Sequence, residues 1–202
     1  MRILITGGAG FIGSNLAKYF LGKGYEVVVL DNLYSGFTRN IRDLNVEFVR
    51  GDIRYVAPLL DACKRVDTII HLAAIPVVQT SFINPRETFD INLYGTLNVL
   101  ETAVRANVRK VIFASSASVY GSGSLKPRRE DEAPVAQSPY AITKVGMEHL
   151  MKIFAKEHKL DTCSLRIFNP YGPNQNLESG AVIPNFVNGC LNNKTITIHG
   201  DG

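Results

Sequence analysis

Tyr140 and Lys144 stand four residues apart in Tyr140-Ala141-Ile142-Thr143-Lys144. On a helix this spacing puts a phenol and an ammonium on one face. A neighbouring cation favours tyrosinate and lowers a pKa that is ordinarily about 10. The pair then offers a general base for a hydroxyl proton. Alone, the spacing suits a helix-start tyrosine and a solvated lysine. A second run of residues changes its meaning. The apolar stretch Val111–Ala114 leads into Ser115-Ser116-Ala117-Ser118-Val119-Tyr120-Gly121. Ligands sit beyond the carboxyl ends of parallel strands, so Ser116 and Ser118 are placed to hold a substrate hydroxyl beside the phenol.

Thr6-Gly7-Gly8-Ala9-Gly10-Phe11-Ile12-Gly13 is the other constellation. Gly7, Gly10 and Gly13 give a GxxGxxG pattern, and Gly8, Gly10 and Gly13 also satisfy GxGxxG. The loop follows an apolar run and opens a helical one, the context that gives such glycines meaning. They permit a tight turn and let backbone approach a pyrophosphate, while the helix N-terminus offers free N–H groups and a positive dipole end. Asp31 lies 18 residues past Gly13 at the end of the next apolar run. A carboxylate there accepts hydrogen bonds from the adenosine ribose hydroxyls and repels a 2′-phosphate, which predicts NAD rather than NADP. Asp52, in Gly51-Asp52-Ile53, is placed to reach the adenine edge.

Strands and helices must alternate to position these groups. Arg2–Thr6, Glu26–Leu30, Val46–Val49, Thr68–Leu72, Val111–Ala114 and Cys163–Ile167 read as strands. Phe11–Leu21 and Val56–Lys64 read as helices, with Gly22 and Gly24 ending the first. Two longer helices follow from three-to-four apolar spacing: Arg86–Ala106, with Phe89, Leu93, Leu97, Leu100 and Val104, and Pro139–Lys159, with Met147, Leu150, Met151 and Phe154. This alternation predicts an α/β fold, a Rossmann-type doubly wound parallel sheet flanked by helices. Ser122–Ser138 and Asn169–Gly180 read as loops, Ala181–Leu191 as a helix and Thr195–Ile198 as a strand. Gly200-Asp201-Gly202 is a turn signature.

The 202 residues, 46% hydrophobic and 20% charged, are ordinary for a globular chain. At roughly 100–200 residues per domain they allow one large domain or two small ones. No apolar run approaches the ~18 residues a membrane helix needs, and the Gly-rich start is unlike a signal peptide. Cys63, Cys163 and Cys190 are odd in number and far apart, with neither a disulfide framework nor a zinc spacing, so a reducing cytoplasm is expected. His71, His149, His158 and His199 are scattered, and no metal site is expected. Lys plus Arg is 22 against 18 Asp plus Glu, a net charge of +4. The excess is a mild surface bias or favours a phosphorylated small molecule. The basic residues are not clustered with aromatics as a nucleic-acid face requires.

The order and spacing of several stretches resemble the extended short-chain dehydrogenase/reductases, and within them the NAD-dependent sugar-nucleotide epimerases. They are TGGAGFIGSNLA from Thr6, DNLYSG from Asp31, GDIR from Gly51, HLAA from His71, NLYGTLNVLE from Asn92, SSASVYG from Ser115, SPYAITK from Ser138 and LRIFNPYGP from Leu165. The resemblance covers nearly the whole chain. It implies that Phe11 and Ile12 lend backbone N–H groups to the pyrophosphate. Asp31, Asn32 and Ser35 would hold the adenosine ribose and its surroundings, Asp52 and Ile53 would flank adenine, and Leu72, Ala73 and Ala74 would line the cofactor channel. Ser116 would orient the sugar hydroxyl. Tyr140 would be the base, and Lys144 would bind the nicotinamide ribose and lower the phenol pKa. Phe168 would border the nicotinamide, and Asn169 would meet the substrate diphosphate. Ser81 and Asn92 fall in the same resemblance, with Asn92 expected to tie its helix to backbone.

The chemistry so implied is 4-epimerisation of a UDP-sugar through a 4-keto intermediate. In this resemblance the sugar-nucleotide 4,6-dehydratases carry an Asp-Glu pair after the Ser116 position, because eliminating water from C5–C6 needs an added acid and base, and the decarboxylating relatives usually keep a Glu at the Ser118 position. This chain has Ala117 and Ser118. An NAD-dependent dehydrogenase or 4-keto reductase remains an alternative, as does an NAD-binding module without turnover. The resemblance continues, in its relatives, past the final turn into a C-terminal substrate lobe, so residues 1–168 are expected to be the NAD-binding domain and 169–202 only the start of that lobe. Val99, Ala103 and Ile153 are apolar positions beyond one core-facing stripe, and the resemblance implies a homodimer through the two long helices.

Overall fold

The computed structural model describes residues 1–122, 126–177 and 181–198. Six strands, β1 (Arg2–Thr6), β2 (Glu26–Asp31), β3 (Glu47–Arg50), β4 (Thr68–His71), β5 (Lys110–Ser116) and β6 (Asp161–Ile167), form one parallel sheet in the order β3-β2-β1-β4-β5-β6. From β1 the chain winds outward to β3, then returns to build β4 on the other side of β1. That reversal opens a crevice beyond the carboxyl ends of β1 and β4. Thr6 pairs with both Leu30 and His71, so the three strands finish level beneath it.

Side chains alternate across each strand, and helices cover both faces of the central strands. Ile3, Ile5, Val29 and Ile70 pack under α1 (Phe11–Gly22) through Ala17 and Leu16. Leu4, Val28, Leu30, Ile69, Val111 and Phe113 face the opposite layer. That layer holds α2 (Val56–Ala62), α3 (Val78–Ile83), α4 (Pro85–Phe89), α5 (Gly95–Arg105) and α6 (Pro139–His158). Val99 and Ala103 are fully buried in this core, so they do not belong to a free helix face as their pattern suggested.

The helix expected over Arg86–Ala106 is interrupted. Asn84 caps α4 by accepting from Glu87 N, Pro85 opens its first turn, and a π turn over Asp90–Tyr94 separates α4 from α5. The wider turn carries a buried Asn92 whose amide donates to Ile75 O and Thr143 Oγ1 and whose carbonyl accepts from Ile75 N. A residue expected only as a tie therefore joins the loop after β4 to α6. Ser138 caps α6 by accepting from Ala141 N at 3.0 Å, and Lys159 ends it at φ 55°.

The last helix, α7, spans Val182–Leu191. The strand expected at Thr195–Ile198 does not form. Lys194 N donates instead to Gly189 O at 2.9 Å, and Ile196 packs on Gly189, which folds the segment back along α7. The Gly200-Asp201-Gly202 turn lies outside the described residues. Among those residues no helix is long and apolar enough to cross a membrane.

Candidate active site

The glycine loop closes on itself. Gly7 sits at φ +71° and donates to Leu30 O at 2.8 Å, and Gly10 N donates to Gly7 O at 3.2 Å. A Cβ on Gly13 would lie 2.4 Å from Gly7 O and 2.6 Å from Gly8 Cα, so only glycine lets α1 begin this close to β1. The α1 N-terminus has no side-chain cap and no acidic residue in its first turn. Its leading N–H groups are thus left for an anion.

Every residue expected to hold the cofactor, from Gly7 to Ala74, lines one cleft. Asp31 is buried there, and its two oxygens accept from Ala9 N at 3.0 Å and Leu33 N at 2.7 Å. Burial raises its carboxyl pKa against the opposing pull of those two N–H groups. The side chain therefore fastens the glycine loop to the loop after β2, with lone pairs left for ribose hydroxyls.

Asp52 differs. Burial alone would raise its pKa, but the Arg54 guanidinium and backbone N–H, with Asn32, hold it at about 2. Oδ1 accepts from Arg54 N and Nε, and Oδ2 from Asn32 Nδ2 and Arg54 Nη2. With two donors on each oxygen, this carboxylate is filled by the chain itself. It shapes the adenine end by holding Asn32 and the 51–54 loop. Arg54 also pairs with Asp90 of the π turn at 3.2 Å, and Asn98 donates to Ile53 O and Arg54 O. Ile75 and Pro76 also line the cleft. The contribution of the Arg54 clamp was signalled in sequence only by the GDIR run.

His71 lies below the channel, with Nδ1 2.7 Å from Thr6 Oγ1 and Nε2 2.9 Å from Thr96 Oγ1. Burial, and then the Lys144 charge, lower its pKa to about 3, so it stays neutral.

A Ser–Tyr–Lys corner lies at the end of β5. Tyr140 is buried, with its phenol beside Ser116. Lys144 Nζ donates to Ala114 O at 2.8 Å and lies 5.5 Å from the Tyr140 ring centroid and 4.8 Å from that of Phe113. The expected depression of the phenol pKa is not present in the chain alone. Burial raises it, with Ser116 opposing, because Lys144 is turned to a carbonyl and is itself lowered to about 7 by burial. Ser118 Oγ is buried without a hydrogen-bond partner. Phe168 is half exposed, 6.1 Å from the Tyr120 ring, and Asn169 is exposed at φ 32°. Ser81 is buried and donates to Val78 O, a bond within its own helix. Sequence reasoning missed Glu148 and Arg166, which meet behind this corner at 2.9 Å.

A doubly wound parallel sheet, an uncapped helix behind a glycine turn and a Ser–Tyr–Lys corner are the features of a dinucleotide-binding fold of the dehydrogenase type. Residues 3–202 match the NAD dependent epimerase/dehydratase family, and the chain belongs to it. A dTDP-D-glucose 4,6-dehydratase of Dictyostelium discoideum is 38% identical over 100% of this chain and 50% of its own length. The structure of a Thermus thermophilus UDP-glucose 4-epimerase in complex with NAD matches at TM-score 0.92 and 37% identity, over 98% of this chain and 65% of that one. A Thermotoga maritima UDP-glucose 4-epimerase with UDP-glucose matches at TM-score 0.94 and 36% identity, over 100% of this chain and 67% of that one. The chain thus spans between half and two thirds of the length of these relatives. NAD is the family's cofactor, and the cleft suits it. There is no room for a side chain at Gly13, an uncapped helix end opens on the cleft where a diphosphate would be held, and Asp31 retains acceptor capacity that would serve ribose hydroxyls.

Proposed function

We propose that this chain is the cofactor-bearing part of an NAD-dependent sugar-nucleotide 4-epimerase, interconverting UDP-glucose and UDP-galactose or their N-acetyl forms. The observation that carries the choice is the corner itself. Tyr140 with Ser116 is one proton-transfer pair, and Ala117 and Ser118 follow where a dehydration would call for a further acid and base. Relatives of both kinds match the chain, and Ala117 and Ser118 support the epimerase reading over dehydration.

In this reading Tyr140 Oη takes the proton of the sugar 4-hydroxyl, which Ser116 orients, and later returns it. NAD supplies hydride acceptance at C4 and hydride return to the opposite face. Lys144 holds the nicotinamide ribose, and Ser118 Oγ, unpartnered in the chain alone, accepts or donates a bond to the sugar. Phe11 and Ile12 hold the pyrophosphate, Phe168 borders the nicotinamide and Asn169 meets the substrate diphosphate. Residues 1–168 form the NAD-binding domain and 169–202 the start of the substrate region.

A homodimer through α6 and its neighbours belongs to the same reading. Ile142 and Ile153 are exposed and eleven residues apart, which places them on one side of α6. The free thiols of Cys63, Cys163 and Cys190 suit a reducing cytoplasm.

The test is incubation of the chain with NAD and UDP-glucose or UDP-N-acetylglucosamine, with anomeric signals followed by NMR. The 4-epimer should appear without accumulation of NADH. Net NADH would indicate a dehydrogenase, and bound NAD without product an NAD-binding module. Light scattering should give a dimeric mass, and a monomer would remove the helix interface from the reading.

A further inference from the structure

Glu148 lies two turns beyond Tyr140 on α6, and its carboxylate is buried. Its Oε1 accepts from Ser115 Oγ at 2.5 Å and Arg166 Nε at 3.0 Å, and its Oε2 from Arg166 Nη2 at 2.9 Å. Ser115 and Arg166 are lateral partners on β5 and β6. Arg166 also stacks over the Tyr120 ring, with its Cζ 4.7 Å from the centroid, and donates to Glu130 O. Tyr120 ends the short turn that follows Ser116, and Ser116 Oγ accepts from Ser118 N at its start. Ser116 is therefore bracketed. The residue before it is bound to Glu148, and the turn after it is packed on Arg166. Tyr140, whose phenol lies beside Ser116, rides on the helix that carries Glu148.

We propose that Glu148 and Arg166 are positioning residues: from one largely buried ion pair behind the corner they hold Ser116 beside Tyr140 and so set the approach of the two hydroxyls between which the proton is handled. The inference rests on the proposed function for its kinetic consequence but not for its geometric one. A buried ion pair is often no more stabilising than an apolar pair of similar volume. Stability alone thus gives little reason for a charge pair bridging three elements at this point, whereas a planar two-bond fork fixes orientation. The charged and titratable groups facing the pair are Lys152 on α6 and Arg128, which shares the Tyr120 ring. Those facing the phenol are Ser116 and Lys144, with His71 behind the lysine.

The experiment uses the 202-residue chain labelled with 13Cζ-tyrosine, with the Tyr140 resonance assigned by its loss in Tyr140→Phe. Ser116→Ala gives the position of that resonance without the neighbouring hydroxyl. In the apolar double variant Glu148→Leu/Arg166→Met the resonance should move to the Ser116→Ala position, with NAD affinity within about twofold of wild type, since neither residue lines the cofactor cleft. Where the wild-type chain turns over, kcat of the double variant should fall at least about tenfold while KM stays within about threefold, the sign of an interaction used in the transition state. A folded double variant that keeps the wild-type resonance overturns the proposal. Should that variant not fold, Arg166→Lys keeps the charge and loses the fork, and an unmoved resonance there overturns it equally. Absence of turnover in the wild-type chain defeats the proposed function while the resonance still decides the positioning role.

Discussion

The two ends of the crevice are built on opposite plans. At the end nearest Asp31 and Asp52 the chain holds its own carboxylates: Asp31 binds two backbone N–H groups and keeps spare acceptor capacity, Asp52 takes four donors, and Arg54 ties both Asp52 and Asp90. At the catalytic corner the polar side chains are not held in this way. Lys144 is buried with a carbonyl and two aromatic faces for company, and Ser118 Oγ has no partner. Among the described residues no ion pair includes Lys144. One end has its carboxylates fixed in place before any ligand arrives, whereas the other holds buried polar groups whose partners a ligand must bring. Unpaired buried groups are costly, so the corner stores free energy that binding can release.

The widest separation between the two ends should come from Tyr140→Phe. In the proposed reaction it removes the proton carrier, and kcat should fall by about 10²–10⁴. The phenol is outside the adenine–phosphate cleft, so NAD affinity by calorimetry should move by less than about twofold. Near-normal product formation would remove the phenol from the mechanism.

Gly13→Ala strikes the other end. The new methyl meets backbone on both nearest sides, and backbone cannot swing aside as a long side chain would. Overpacking of this kind costs about 1–3 kcal/mol, read by urea unfolding, and NAD binding should be lost as the loop opens. A variant that binds NAD normally would show that the loop is not the phosphate cradle.

This asymmetry also explains what was legible. The glycine loop, Asp31 and the strand pattern are local signals, because backbone geometry and a short spacing dictate them, and the structure arranges them as read. The π turn was not legible, since its three-to-four apolar spacing continues unbroken through Asp90–Tyr94 and only the inward pull of Asn92 marks it. The Lys144–Tyr140 spacing gave a shared face but not the lysine's choice of Ala114 O. Glu148 and Arg166 are 18 residues apart in sequence, and neither carries a pattern that announces its partner. Nor does a run such as Thr195–Ile198 reveal that α7, not a strand, will be its neighbour.

A third prediction sharpens the contrast through pH. An unfolded lysine keeps its proton to 10.5, whereas buried Lys144 releases it near 7. Between those values the unfolded chain binds more protons, so the ligand-free chain should gain stability as pH rises from 7 towards 10. Above 10 the raised phenol pKa of Tyr140 works in the opposite direction, because the unfolded tyrosine ionises first. Lys144→Met should flatten the rise in thermal unfolding between pH 7 and 10. An unchanged slope would mean that the lysine is not unpaired in solution.

The smallest effect is expected where the end nearest Asp31 and Asp52 has redundancy. Asp90 is about half exposed and holds Arg54 by one contact, while Asp52 holds the same guanidinium at two nitrogens. Asp90→Asn leaves the Asp52–Arg54 fork whole and removes an ion pair that is largely screened by water, so urea unfolding should register a loss of about 0–1 kcal/mol. NAD affinity should stay within about twofold, because the loop carrying Asp52 is still held by Asn98 through Ile53 O and Arg54 O. A larger drop in affinity than in stability would place the control of the adenine end in the π turn rather than in the loop. The same turn binds Thr143 of α6 through Asn92, so the two ends would then be mechanically joined, and a change in Tyr140 chemistry on Asp90→Asn would be the measurement to make.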